Sequence, residues 1–131
     1  MDLKKSFAVS TRKAVEGIWE SMDSDTQILV AKSGNARYEE ELQKAIRPYR
    51  NQIRRNQMSP EKNLDIIATV MSRTILLDWK DLYENETLVP YSQENAKRLL
   101  LSYPEFRQYV SDLADDVSRY IEEDLEEAGE S

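Results

Sequence analysis

Hydrophobic and polar positions along this chain follow two different periods, and the change between them separates a β-element from a helical body. Within residues 6–34, the runs "AVEGIWES" and "TQILVAK" are rich in β-branched and aromatic residues, and the short segment Met22–Asp25 separates them. Two such runs joined by a short loop predict a β-hairpin. The stretch "SFAVS" is a candidate for one further short strand. The N-terminal part is thus predicted to be a hairpin or a short meander.

From residue 35 onward, the apolar residues recur with the period of an α-helix. Asn35 is a suitable N-cap, and three glutamates follow it near the positive end of the helix dipole. One side of this helix is apolar and consists of Tyr38, Leu42, Ala45, Ile46, Tyr49 and Ile53, whereas the other side is basic and consists of Lys44, Arg47, Arg50, Arg54 and Arg55. Pro48 interrupts the pattern, so a kink or a break is predicted near residues 44–48.

A serine followed by a proline, Ser59 and Pro60, marks the start of the next helix. Apolar side chains cover more than half of its circumference, so residues 60–79 are predicted to form the central and most buried helix. Residues 80–91 lose the helical period and are interpreted as a connecting loop.

Two further helix starts follow in the C-terminal third. Pro90 and Ser92 precede a short helix, and the pattern Ser102–Glu105 begins a last helix, predicted to run from 104 to about 128 and to be the longest, with one acidic side. The predicted fold class is α+β and mostly α-helical, with an N-terminal β-hairpin followed by four to five helices. Residues 1–131 are predicted to form a single domain, with a helical body over 35–128 and a charged, flexible end at 122–131.

Composition changes this picture mainly by what it excludes. The 131 residues contain no cysteine and no histidine, and the three glycines lie too far apart for a phosphate-binding loop. Thiolates, imidazoles and the usual zinc, haem and iron–sulfur ligands are therefore missing. We expect no catalytic residue, no cofactor and no metal site, and no enzymatic activity. Since no apolar run approaches the ~20 residues of a membrane helix and no secretory signal is present, a cytoplasmic location is expected.

Charge is distributed unevenly along the chain. Residues 110–131 contain nine acids and one base, Arg119, whereas residues 42–55 contain five bases and no acid. The basic face, with Arg47, Arg50 and Arg54 as candidate contacts, can track the phosphates of a nucleic acid. It can equally be a solvated surface, or meet the acidic end of the same or another chain. The net charge of −7 argues against nucleic acid.

Aromatic residues on the predicted last helix are candidates for partner binding. Tyr109 and Tyr120 lie at the border of its apolar stripe, where an amphipathic side chain serves either the core or the surface of a partner. The pattern favours the core, and both alternatives stay open. The nearby apolar residues Ile121 and Leu125 stand amid many charges. These four residues complete the set of candidate partner-binding positions.

The order of these features resembles one protein family. The hairpin "VEGIWESM…TQILVAKSGNARYEEEL" is followed by "IRPYRNQIRR", "ILLDWKDL" and "VPYSQENAKRLLLSYPEFRQYVSDLA". Together they resemble the tail assembly chaperones of long-tailed, siphovirus-type bacteriophages and prophages, over roughly residues 5–120. The succession from "ILLDWKDL" to "VPYSQENA" is the most specific part. The loops Met22–Asp25 and Tyr83–Glu86 lack the glycine that related chains often have, which leaves their turn types open.

The resemblance implies a non-enzymatic role in virion morphogenesis. Members of that family bind the long helical tape-measure protein, keep it soluble, and help recruit tail-tube subunits before leaving the finished tail. Many are also made as a longer, frameshifted product, and the tail-tube protein is the partner expected for that form. The resemblance further implies a location in the cytoplasm of the bacterial host and absence from the mature virion.

The leading hypothesis is therefore a tail assembly chaperone that lays its helices against apolar stretches of a tape-measure protein. Two alternatives stay open. One is a small nucleic-acid-associated regulator that uses the basic face of residues 44–55. The other is a self-associating scaffold, a homo-oligomer in which the basic face of one subunit meets the acidic helix of another, and it is compatible with the leading hypothesis. No membrane partner is expected.

Overall fold

The computed structural model describes residues 1–122, in which helices pack on a small antiparallel sheet. The helices are α1 (Leu3–Phe7), α2 (Thr11–Glu16), α3 (Ala36–Ile46), α4 (Arg50–Arg54), α5 (Pro60–Thr74), α6 (Gln93–Ser102) and α7 (Pro104–Asp115). The strands are β1 (Ile18–Ser21), β2 (Gln27–Val30), β3 (Leu76–Lys80), β4 (Tyr83–Glu84) and β5 (Thr87–Leu88). Two 3₁₀ turns span Arg47–Tyr49 and Val117–Tyr120. The mostly helical α+β class predicted from the sequence is confirmed.

The predicted hairpin is present as β1 and β2, which pair antiparallel around the loop Met22–Asp25. Ile28 and Val30 alternate along β2 with half-exposed residues and are fully buried, so one face of the hairpin packs on the helices. In the loop, the carboxylate of Asp23 accepts hydrogen bonds from the N–H groups of Thr26 at 2.6 Å and Asp25 at 2.9 Å. An aspartate that bonds the following backbone in this way shapes a turn without glycine.

The predicted helix over residues 60–79 is wrong at its C-terminal end. Helix α5 ends at Thr74, and Leu76–Lys80 form β3, which pairs antiparallel with β2 and completes a sheet of order β1-β2-β3. A buried helix and a fully buried strand both give a continuous apolar run, so periodicity does not separate them. The second edge of the hairpin decides the matter, because its backbone groups need partners. The N–H of Ala31, for example, donates to the carbonyl of Ile75 at 2.8 Å.

The N-terminal residues are mostly helical and do not form the further strand considered for "SFAVS". Ser6 and Phe7 belong to α1, and Ser10 caps α2 by accepting a hydrogen bond from the N–H of Lys13 at 3.2 Å. Val9 makes an isolated antiparallel bridge with Ile121. The third strand of the sheet is supplied by β3 instead.

The N-cap predicted at Asn35 is confirmed, and the same side chain also joins two helices. Its carbonyl oxygen accepts hydrogen bonds from the N–H groups of Arg37 and Tyr38, both at 3.0 Å. Its amide nitrogen donates to the carbonyls of Lys32 at 2.7 Å and Thr74 at 3.2 Å. The start of α3 is therefore fixed against the end of α5.

The break predicted near residues 44–48 is confirmed. Helix α3 ends at Ile46, the 3₁₀ turn that follows contains Pro48, and α4 then adds one short helical segment. Side chains become exposed beyond this break, and every residue from 50 to 57 is exposed. We call residues 44–57 the basic arm.

The last helix is shorter than predicted. Helix α7 ends at Asp115 after 12 residues, so the prediction of the longest helix, running to about 128, is wrong; within residues 1–122 the longest is α5, with 15 residues. The carboxylate of Asp116 accepts a hydrogen bond from the N–H of Ser118 at 3.0 Å and starts a 3₁₀ turn, which carries Tyr120 back into the core. The parts of the predictions that fall on residues 123–131 lie outside the described residues.

The core lies between the sheet and helices α5, α6 and α7. Its buried members are Ile28, Val30, Ala68, Met71, Ile75, Leu76, Trp79, Val89, Ala96, Leu99, Leu100, Val110 and Ala114. Five of them come from α5 and β3 or the residue that joins these elements, so the central position predicted for the 60–79 segment is correct even though its last part is a strand.

Candidate partner-binding site

Two walls on one side of the molecule enclose an open groove of about 290 Å³. One wall is the small β4–β5 hairpin with the residue before it, and the other is the corner where α6 meets α7. The lining residues are Leu82, Tyr83, Glu84, Asn85, Leu99, Tyr103 and Phe106. Most of this lining is aliphatic or aromatic, so the groove suits apolar groups of a partner. We call it the hairpin groove.

The hairpin wall lies in the segment that the sequence pattern indicated as a loop. Tyr83 pairs with Leu88 across β4 and β5, and Asn85 and Glu86 form the turn between them. Both turn residues have positive φ angles, 51° and 65°, as the tightest two-residue hairpin turns require. Asparagine tolerates this conformation better than glutamate does. A tight turn is therefore made here without glycine, and it fixes where Tyr83 stands.

The hairpin is anchored to the body beneath it. The indole N–H of Trp79 donates to the carbonyl of Val89 at 2.7 Å, and its ring packs edge-to-face on Tyr91 with 4.8 Å between ring centroids. On the other side, the hydroxyl of Thr26 donates to the carbonyl of Asp81 at 2.6 Å. Both ends of the hairpin are thus held by side chains of the sheet and its connections, so the groove is preformed.

The helical wall is a tight corner between α6 and α7. Pro104 is the first residue of α7, which starts directly after α6 ends. The guanidinium of Arg107 donates to the carbonyl of Leu100 at 2.8 Å and so satisfies a free carbonyl near the end of α6. This corner places the buried Leu99 and the half-buried Phe106 side by side on the floor of the groove.

One carboxylate of the hairpin wall is held by two side chains of the helical wall. Glu84 accepts a hydrogen bond from the hydroxyl of Tyr103 at 2.6 Å and pairs with the guanidinium of Arg98 at 3.0 Å. The Tyr103 hydrogen bond, followed by the Arg98 interactions, holds the pKa of Glu84 below its ordinary value, and the same bond raises the pKa of Tyr103. The rim therefore carries a compensated charge at neutral pH, next to an apolar floor.

The rim also exposes large apolar and aromatic side chains. Tyr83 is 58% exposed, Leu88 is 52% exposed and Tyr103 is 43% exposed. Tyr83 and Tyr103 line the groove, and Leu88 is paired with Tyr83 across the two strands. These exposed side chains, next to the apolar floor, offer a partner apolar area to bury.

The predicted partner-binding residues of the last helix lie elsewhere. Tyr120 is completely buried and Tyr109 is half-buried against the core. Both positions agree with the core location that the sequence pattern favours. Ile121 is half-buried and pairs with Val9 at the N-terminal helices. Leu125 lies outside the described residues. A partner-binding role for these four residues stays a prediction.

Tyr120 is held in place by hydrogen bonds as well as by packing. Its hydroxyl donates to the carbonyl of Val30 at 2.9 Å and accepts a bond from the guanidinium of Arg119 at 2.7 Å. Arg119 in turn donates to the carbonyl of Ile18 at 3.0 Å, on the outer strand of the sheet. Burial raises the pKa of Tyr120 to about 12. The residue therefore ties the end of the described chain to the sheet.

The structure does bring together the predicted basic residues Arg47, Arg50 and Arg54, which are all exposed on the basic arm. Arg50 donates to the amide oxygen of Gln43 at 3.2 Å. Within residues 1–122, none of these three guanidinium groups has a carboxylate in ion-pair distance. The arm is therefore a second candidate surface, distinct in chemistry from the hairpin groove.

Sequence reasoning missed the hairpin groove because its residues belong to three separate elements. A usable signal was present in "YENETLVPY", where Asn85 and Glu86 stand between short runs of strand-forming residues. That signal predicts the β4–β5 hairpin, but it does not predict that the α6–α7 corner lies next to it. Only the corner at Tyr103 turns the hairpin into a groove.

Residues 1–122 contain no group of three or more acidic, cysteine or histidine side chains placed to hold a metal ion. In the same residues, no helix has the length and apolar character needed to cross a membrane.

Comparison with known proteins shows which family the chain belongs to. The family model of the YdaY prophage protein matches residues 33–131, which is most of the chain. The chain belongs to this prophage protein family. The matched region begins after the β1–β2 hairpin and includes both the hairpin groove and the basic arm. Neither the curated proteins nor the solved structures include a match to the chain.

Proposed function

We propose that this prophage protein is a non-enzymatic tail assembly chaperone that binds the tape-measure protein in the cytoplasm of the bacterial host. Two lines of support come from sequence. The family match indicates a phage or prophage origin, and the order of "ILLDWKDL" and "VPYSQENA" resembles tail assembly chaperones. In the structure, these two stretches form β3, which underlies the hairpin groove, and the start of α6, which leads into its helical wall.

The observation that carries the proposal is the hairpin groove itself. It is open, preformed and floored by Leu82, Leu99 and Phe106, with exposed aromatic residues on its rim. An amphipathic helix binds such a groove by inserting apolar side chains spaced three or four residues apart. Tape-measure proteins are long helices, so one segment would place one or two side chains in each groove.

The proposed mechanism is reversible, non-covalent binding with no catalysed reaction. An apolar stretch of the tape measure that lies in the groove is removed from water and from other tape-measure chains, which keeps it soluble. The groove is small, so each contact buries limited area and remains exchangeable. Exchange is what a chaperone needs, because tail-tube subunits must later replace it. Recruitment of the tail-tube protein through a longer, frameshifted form, and absence from the mature virion, belong to the same proposal.

The proposal moves the binding surface from the end of the last helix to the groove. The reason is exposure: Tyr120 is completely buried, whereas Tyr83 and Leu88 are more than half exposed. A surface available in the folded protein is the simpler docking site for a partner.

The test is co-expression with the tape-measure protein encoded by the same prophage. We expect that protein to become soluble and to co-purify with the wild-type chain. The variants Tyr83→Glu and Leu88→Glu place a charge on the exposed rim and should reduce the recovered tape measure at least about tenfold, because an unpaired charge facing an apolar helix is costly to desolvate.

The matched control is Ile67→Glu. Ile67 is 43% exposed on α5 and lines a different cleft, with Tyr38 and Met71. It should leave recovery of the tape measure unchanged. If Ile67→Glu removes binding while the two rim variants keep it, the groove is not the docking site. If the wild-type chain binds no tape measure at all, the proposed function is wrong.

A further inference from the structure

The basic arm is an exposed, strongly charged surface of the described chain. Its five cationic side chains, Lys44, Arg47, Arg50, Arg54 and Arg55, lie within twelve residues that contain no acid. Lys44 has one carboxylate nearby, that of Glu41 at 3.8 Å. The four guanidinium groups have none within residues 1–122. The arm therefore carries an uncompensated positive charge.

These charges also act against the local helix. Arg50 and Arg54 stand four residues apart on α4, where side chains on a helix are neighbours and like charges repel. Helix α4 is only five residues long, and its side chains are all exposed. Little packing offsets the repulsion, so an anionic partner would stabilise this segment by neutralising it.

The same chain supplies a matching anion. Residues 120–131 contain six acids and no base, namely Glu122, Glu123, Asp124, Glu126, Glu127 and Glu130. The arm thus has five positive charges, and the acidic segment, of similar length, has six negative ones. A long polyanion such as nucleic acid fits less well, because the whole protein carries −7 and repels it.

Geometry favours the acidic segment of another copy over that of the same copy. The described chain ends next to Ala8 and Val9: the N–H of Glu122 donates to the carbonyl of Ala8 at 2.8 Å, and Ile121 bridges Val9. Val9 in turn lines one cleft with Asn35 and Ala36 at the start of α3. From Ala36 to Arg54, the chain covers at most about 27 Å of helical rise, and the break at Pro48 makes the straight-line distance shorter.

Eight residues beyond Glu122 span at most about 26–29 Å, and only when fully extended. Reaching the far end of the arm within one molecule would therefore extend much of the segment, which is disfavoured by conformational entropy. A second copy meets no such restriction, since its acidic segment can approach the arm from solvent.

We propose that the basic arm of one copy binds the acidic segment 122–130 of a second copy. Each copy offers one arm and one acidic segment, so a reciprocal exchange closes a dimer and a one-way exchange builds an open chain. This interface is separate from the hairpin groove and does not depend on the proposed chaperone function.

The test is the mass of the purified full chain in solution, measured by light scattering and sedimentation at about 0.01 M and about 1 M salt. The electrostatic screening length falls from about 30 Å to about 3 Å between these conditions. We expect an oligomer at low salt and a monomer at high salt. Arg50→Glu combined with Arg54→Glu should weaken self-association at least about tenfold.

A charge-swap experiment makes the partner explicit. Glu123→Lys combined with Glu126→Lys should also weaken self-association at least about tenfold. Mixing these two double variants should restore a mixed oligomer, because one keeps the unchanged arm and the other keeps the unchanged acidic segment. The control is Arg12→Glu combined with Arg37→Glu, which makes the same change in net charge at exposed positions outside the arm. This control should associate as the wild-type chain does.

Three results would overturn the proposal. The first is a wild-type chain that is monomeric at low salt, and the second is association that persists when Arg50 and Arg54 are reversed. The third is an arm that binds duplex DNA or RNA at low salt in preference to the acidic segment, which would make it a nucleic-acid surface.

Discussion

The hairpin groove and the basic arm are both exposed, yet they depend on the rest of the molecule in opposite ways. The groove is floored by Leu99, a buried core residue, and stands on Trp79, which is 5% exposed. The arm is exposed throughout residues 50–57 and consists mainly of charged and polar side chains. The shape of the groove is therefore a product of the core, whereas the arm contributes charge and little packing. This difference predicts how each region responds to mutation.

The largest expected difference is in the free energy of unfolding, when one large side chain is truncated in each region. Trp79→Ala should lower the free energy of unfolding by about 3–5 kcal/mol, because it removes a large buried ring and its hydrogen bond to Val89. Ile53→Ala, on the arm, should change it by less than about 0.5 kcal/mol. Urea unfolding followed by circular dichroism measures both. Equal losses in the free energy of unfolding would show that Ile53 contributes to the core as Trp79 does.

A smaller difference in the free energy of unfolding is expected between removing a buried tyrosine hydroxyl and removing one on the groove rim. Tyr120→Phe should lower the free energy of unfolding by about 1–2 kcal/mol, because the carbonyl of Val30 loses its donor in the core. Tyr103→Phe removes a hydroxyl bonded to Glu84 at the surface and should cost less than about 0.5 kcal/mol. The same unfolding measurements apply. A larger loss for Tyr103→Phe would contradict the contrast between the two sites.

Alkaline pH should also lower the stability, and it should act on the core. Burial raises the pKa of Tyr120 and of Tyr91 to about 12, whereas an unfolded tyrosine titrates near pH 10. The folded state therefore holds these protons more tightly. Their contribution to stability is fully present below about pH 10 and is lost as pH rises from there towards about 12.

The measurement is the urea midpoint at pH 8 and at pH 11 for the wild-type chain and for Tyr120→Phe. The wild-type midpoint should be lower at pH 11 than at pH 8, and the decrease should be smaller in the variant, which lacks one of the tyrosines whose pKa is raised by burial. An identical decrease in both proteins would mean that Tyr120 does not contribute.

Several elements were predictable because a single residue decides them locally. Asn35 caps α3 with its own side chain, Ser92 caps α6 by accepting from the N–H of Asn95 at 2.9 Å, and Pro48 ends α3 because it has no N–H to donate. Each of these effects acts within a few residues of the chain. The candidate arginines of the arm were predictable for the same reason, since their shared face follows from spacing alone.

Other elements were wrong because a distant segment decides them. The residues after Thr74 satisfy a helical pattern and a buried strand equally well, and the open edge of β2 selects the strand. In the same way, the apolar stripe of α7 continues to Tyr120, but the carbonyl of Val30 and the guanidinium of Arg119 give this tyrosine a better place in the core. Periodicity contains no information about such partners.

By itself, the sequence determined the class of the fold, the starts of the helices, the break at Pro48, and the separation of basic from acidic segments. These properties depend on backbone chemistry and on charges that are close along the chain. The tertiary structure alone decided that residues 76–80 join the sheet, that Tyr120 is buried, and that Tyr83 and Tyr103 face one another across a groove. These depend on contacts between segments far apart in sequence, whose pairing is set by which arrangement buries the most apolar surface while satisfying every buried polar group.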